Sequence, residues 1–170
     1  MKSASRTTSW GRKGLALARY GLNICREGQH RLHMSQLMCM FAETCIAAGH
    51  FSEAIAAVDE AIAGFARSRD LICAPDLWTL KGDALLALGA ADTEVEECYY
   101  AALLLAQELG AKTSELRAAV NLGRLWQTKG KTEDARRLIA GVYNWFTEGF
   151  ETPDLRAARV LLSEFDSKIT

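Results

Sequence analysis

Along most of the chain apolar residues return every three or four positions with polar residues between them, the period of a helix that buries one face. Residues 77–110, LWTLKGDALLALGAADTEVEECYYAALLLAQELG, show the pattern best and read as two amphipathic helices packed back to back about Gly82 and Ala102. Small residues matter there because two helices approach closely only where side-chain bulk is absent. The same reading predicts helices over 14–26, 31–48, 51–66, 76–88 and 92–109, one opening at Thr113 or Ser114, one over 133–146 and one from Pro153 onward. Gly49, Gly89 and Gly130 are expected as the stops between paired helices, where a positive φ ends the first of each pair. Ser52, Asp92 and Thr132 are expected to cap the helices that follow.

The elements repeat. Ala42, Gly82 and Gly123 are separated by 40 and 41 positions, and so are Gly49, Gly89 and Gly130. Ala54, Val95 and Ala135 keep the same step, as do Val58, Tyr99 and Ile139, and Ala61, Ala102 and Val142. A period of about 20 to 50 residues marks a stacked array in which each unit covers a face its neighbour leaves open. Residues 14–26 align with the second helix of a unit, Gly14, Ala18 and Gly21 lying 40 positions before Ala54, Val58 and Ala61. That helix is apolar on two sides (Leu15, Ala18, Leu22 and Cys25; Leu17, Gly21 and Ile24), as befits one lodged between neighbours, yet no first helix precedes it. The chain is therefore expected to begin inside a repeat, and its open first helix to promote self-association.

The order of small and bulky residues within each unit resembles the tetratricopeptide repeat. Trp78, Gly82, Gly89, Val95, Tyr99 and Ala102 carry the likeness in the middle unit; Leu122, Gly123, Trp126, Gly130 and Ala135 in the third; Phe41, Gly49, Phe51, Ala54 and Ala61 in the first. The sequence departs from that pattern at Lys81 and Ala42, where Leu and Gly are usual, and at Leu85 and Cys45, where an aromatic is usual. The resemblance implies an all-α, right-handed solenoid of antiparallel helix pairs, about eight helices in all, closed by a C-terminal capping helix. Its period exceeds the usual ~34 residues, so longer second helices and linkers are expected. Residues 123–162, and YNWFTEGFETPDL at 143–155 above all, are similar to the C-terminal repeat region of bacterial signalling proteins that carry cyclase-like, DNA-binding or ATPase modules. The implied organisation is a disordered start at 1–9, an orphan helix at 10–30, repeats at 31–70, 71–111 and 112–151, and a cap at 152–167.

Composition narrows the function classes. With 49% hydrophobic residues and two prolines in 170 residues, the chain suits one helical domain with a sizeable core. No apolar run approaches the ~18 residues of a membrane span and the start lacks an apolar signal core, so a cytoplasmic protein is expected. Five cysteines without a CxxC pair read as reduced, small apolar fillers, Cys45 in the core and Cys39 on the opposite face. Net charge is −1 but uneven: +6 over residues 1–33, −9 over 34–110 and +2 over 111–170.

Candidate chemistry follows from the resemblance, in which first helices line the concave surface. The implied partner-binding groove comprises Gln36, Cys39, Met40 and Glu43; Asp76, Thr79, Leu80 and Asp83; and Arg117, Val120, Asn121 and Arg124. The partner is expected to be a protein or peptide segment, or another domain of a parent protein, with basic and then acidic character. The Lys, Asn and Arg set by which some members hold a terminal carboxylate is not reproduced. His30 and His33 could share a helical face, but no acid or cysteine is spaced to complete a metal site. Glu43 and Asp83 could face each other across a water, but with no nucleophile motif or phosphate loop the expectation is a non-catalytic chain with no cofactor or metal. Trp10 and Tyr20 in the basic start raise nucleic-acid binding as a weaker alternative, opposed by the acidic middle of the chain.

Overall fold

A computed structural model describes residues 4–27, 34–68 and 71–169. Among them lie eight helices and no strand: α1 (Ala4–Glu27), α2 (Met34–Ala47), α3 (Phe51–Ser68), α4 (Ala74–Ala87), α5 (Asp92–Glu108), α6 (Lys112–Thr128), α7 (Thr132–Tyr143) and α8 (Pro153–Ile169). Helix α1 begins at Ala4, and residues 4–9 contain neither Gly nor Pro to stop a helix. His30 and His33 fall outside the described residues.

Gly49, Gly89 and Gly130 take φ values of 78°, 74° and 74° and end the first helix of each pair, as their spacing predicts. The expected caps at Asp92 and Thr132 are not formed. Both residues lie inside their helices, behind Ala91 and Lys131, and neither helix has a side-chain cap. Acidic residues in the first turn, Asp92 and Glu94 in α5 and Glu133 and Asp134 in α7, complement the positive end of the helix dipole instead. Pro153 opens α8 at the position where a missing N–H costs nothing.

The helices form two layers. The even-numbered helices touch in succession, α2 on α4, α4 on α6 and α6 on α8. Each of α3, α5 and α7 lodges between two consecutive even helices, and α1 packs its backbone on α2 while Arg19 and Arg26 reach Glu53 and Glu60 of α3. Among the described residues the odd helices do not approach one another through their backbones. Such stacking is consistent with an α-solenoid. The extra length of the unit goes into α3 and α5, of 18 and 17 residues, and in the third unit into the connection after the 12-residue α7.

The close crossings lie where the small residues recur. A Cβ on Gly82 would stand 2.5 Å from Tyr99 Cε1, and one on Gly123 would stand 2.6 Å from Ile139 Cδ1. Two units therefore make the same contact between equivalent residues, and Ala42 and Val58, in the corresponding places, are fully buried. Apolar side chains gather into two clusters that meet at α4. Leu77 and Ala84 belong to the cluster of α1 to α4, while Trp78 and Leu85 on the same helix pack against the cluster of α5 to α8. Leu155, Ala158, Leu161 and Phe165 of α8 close the second cluster. At the other end α1 buries Leu15 and Leu22 but leaves Leu17, Tyr20 and Ile24 exposed.

Candidate interaction surface

Helix α2 is flanked by three neighbouring helices and α4 and α6 by four each, so each of these keeps only a narrow free stripe. The residues of that stripe are spaced i, i+4, i+7: Gln36, Met40 and Glu43 on α2; Asp76, Leu80 and Asp83 on α4; Arg117, Asn121 and Arg124 on α6. On α2 all three are exposed. On α4 all three are half-buried, and on α6 Arg117 and Asn121 are half-buried while Arg124 is exposed. The i+3 position of each helix behaves differently. Cys39, Thr79 and Val120 are buried, which corrects their assignment to an open contact face. They point into the seam with an adjacent helix, which is why a small thiol, a hydroxyl and a branched aliphatic fit there; Thr79 returns its hydroxyl to the Pro75 carbonyl at 3.1 Å. Burial pushes the Cys39 thiol up to about 12 and the Cys45 thiol to about 11, so both remain neutral fillers.

Four of the nine stripe residues are already engaged by the protein itself. The Arg117 guanidinium donates to Asp76 at 2.6 Å on one side and to Asp154 at 2.8 and 3.2 Å on the other, linking α4, α6 and α8. Its affinity for the proton rises, chiefly through the Asp154 bonds. Ser114 adds a donor to Asp76 at 3.1 Å. Asp83 accepts both the Tyr99 hydroxyl at 2.8 Å and the Asn121 amide at 2.9 Å on one oxygen, joining α4, α5 and α6. Burial raises the Asp83 pKa, opposed by the Tyr99 bond and by the charges of Arg124 and Arg117. Asp76, Asp83, Arg117 and Asn121 thus join helices, and a partner would meet only what they leave free.

The unoccupied portion is of two kinds. Toward the N-terminal end it is Gln36, Met40 (57% exposed) and Glu43 on α2. Toward the C-terminal end it is an open hollow of about 260 Å³ between α6 and α8, lined by Arg124, Arg156, Ala157, Val160, Leu161 and Glu164. Sequence reasoning placed Arg124 in the groove but not the α8 residues, because α8 reads as a cap. The missed signal lies in its packing: α8 sits on α6 as α6 sits on α4, so it extends the even layer while closing it.

Other polar residues tie unit to unit. Lys81, at a position where the resembling family favours Leu, pairs with Asp59 of α3 at 2.6 Å and lies 5.5 Å from the Trp78 ring centroid. Glu96 of α5 accepts from Trp126 and from Lys129, each at 2.7 Å, and the Lys129 bond is the main cause of its lowered pKa. Arg19 of α1 donates to Glu53 of α3, and His50, in the turn before it, comes within 3.7 Å of the same carboxylate. Among the described residues no group of three His, Cys, Asp or Glu is arranged to hold a metal ion, and no helix is long and apolar enough to cross a membrane. No protein-family model matches the chain, and no curated protein matches it.

Proposed function

We propose that the chain is a tetratricopeptide-like right-handed solenoid that acts as a non-catalytic scaffold for protein interaction or regulation, using the outer stripe of its even-numbered helices as a concave binding surface. What supports this reading is the difference between the layers. Even helices touch in series through their backbones while odd helices do not, α1 and α3 meeting only through side chains such as Arg19 and Glu53, and such a bias suits a stack curved toward its even side. The Gly82–Tyr99 and Gly123–Ile139 crossings add to it, since they repeat one packing unit at the spacing found in the sequence. The likeness of residues 123–162 to the tails of bacterial cyclase-like and ATPase-linked regulators favours a regulatory region of a larger signalling protein; an independent small adaptor is the other form the same role could take.

The test is capture of interacting proteins by the wild-type chain and by a variant altered on the free stripe, Met40→Asp with Glu43→Arg. These side chains are exposed, so the fold should survive, as circular dichroism would check. Asp83 is unsuitable, because a substitution there breaks the tie between α4, α5 and α6. Loss of the captured set in the variant is the expected result; identical capture by both would discard this surface.

A further inference from the structure

We propose that the hollow between α6 and α8 seats an acidic segment of the partner polypeptide, one side-chain carboxylate between Arg124 and Arg156 and an aliphatic neighbour against Ala157 and Val160. The proposal rests on the scaffold reading above and names the chemistry of the partner at one place on that surface. Its basis is a contrast along α6. Arg117 is met by carboxylates from α4 and α8, whereas Arg124, two turns further along the same stripe, has no carboxylate within ion-pairing distance among the described residues. Asp83, which feels the Arg124 charge, is already hydrogen-bonded by Tyr99 and Asn121. Arg156 likewise forms no ion pair, and Glu164, which lines the same hollow, pairs with neither arginine. Two guanidinium groups line this open hollow against the single carboxylate of Glu164, so its lining carries a net charge of +1, and their planar forks suit an added carboxylate.

The rest of the lining selects among anions. Val160 is 55% exposed and stands with Ala157 and Leu161 on the same wall, which favours an aliphatic side chain beside the charge. A long polyanion running along the even layer would next meet Asp83, Asp76 and Glu43, so the complementarity is to a short acidic stretch and not to a nucleic-acid backbone.

The probe is a fluorescein-labelled, C-terminally amidated peptide of Glu-Val pairs separated by Gly, its binding followed by fluorescence anisotropy. The wild-type chain is expected to bind it with an affinity that weakens as salt rises, and Arg124→Glu with Arg156→Glu to weaken it by about tenfold or more. The neutral pair Arg124→Gln with Arg156→Gln should lie between, while Arg159→Glu, on the same helix but outside the hollow, should bind as the wild type does. The proposal is overturned by absent binding, by equal binding of the double Glu variant, by a requirement for a free C-terminal carboxylate, or by an oligothymidylate that competes more strongly than the peptide. Partner capture that still depends on Met40 and Glu43 while the peptide fails would reject the acidic occupant and leave the scaffold reading standing; failure of both would remove the reading itself.

Discussion

Gly82 and Gly123 occupy equivalent places but do not have equivalent neighbours. The group that a Cβ on Gly82 would strike is the ring of Tyr99, which is 1% exposed and held at its hydroxyl by Asp83. The group facing Gly123 is the terminal methyl of Ile139, which can turn away about its last torsion. Gly82→Ala should therefore destabilise the protein by about 1–3 kcal/mol, the usual effect of overpacking. Gly123→Ala should cost much less, because replacing a mid-helix Gly recovers about 0.5–1 kcal/mol. Denaturant midpoints of the two variants check the order, and equal losses would mean that ring rigidity is not what distinguishes the crossings. The repeat spacing made both glycines legible, but the inequality between them was not, since it depends on what the opposing side chain is bonded to.

For the helices as units, the decisive contacts are the polar ties between them. Asp83 holds α5 through Tyr99 and α6 through Asn121 with a single oxygen, a role that an amide oxygen could fill equally well. Asp83→Asn should thus keep both bonds and lose only a desolvated charge, leaving stability near neutral pH unchanged or slightly higher. Asp83→Ala strands the buried Tyr99 hydroxyl and should cost about 1–3 kcal/mol. The pH dependence has a definite sign. A carboxyl whose pKa is raised by burial favours the folded state while protonated, so its contribution declines as the pH rises from the ordinary Asp range through the raised value. Asp83→Asn should remove that decline, and thermal unfolding across this range for the wild type and the Asn variant measures it. In the sequence Asp83 reads as a groove residue because its register matches Glu43 and Arg124. Its capture by Tyr99, 16 positions away on the next helix, depends on how α4 and α5 cross, and that is invisible to spacing alone.

Among the described residues the two apolar clusters meet only at α4, so the array has a natural point of partial uncoupling. Nearest-neighbour stacks lose cooperativity when one end is weakened. Phe165, fully buried under the α8 stripe, is the place to weaken it, and Phe165→Ala should cost about 3–5 kcal/mol of local stability. Hydrogen exchange should then quicken in α6, α7 and α8 while α2 and α3 keep their wild-type protection. A uniform rise in exchange across all helices would show one cooperative unit instead. In the unmodified protein α1 should exchange faster than α5 and α6, because its backbone packs on one helix, it reaches α3 through the Arg19–Glu53 and Arg26–Glu60 pairs, and it leaves Leu17, Tyr20 and Ile24 open.

The sequence by itself determined the helices, their pairing, the period of the stack and the residues at its tight crossings, because these depend on local periodicity and on side-chain volume repeated at a fixed interval. Only the tertiary structure decided which polar residues remain available to a partner. A helix lodged among three or four neighbours exposes about one residue per turn, and whether that residue is free depends on charges that other helices bring to it: Arg117 pairs with Asp76 and Asp154, Asp83 is bonded by Tyr99 and Asn121, and Arg124 and Arg156 form no ion pair among the described residues.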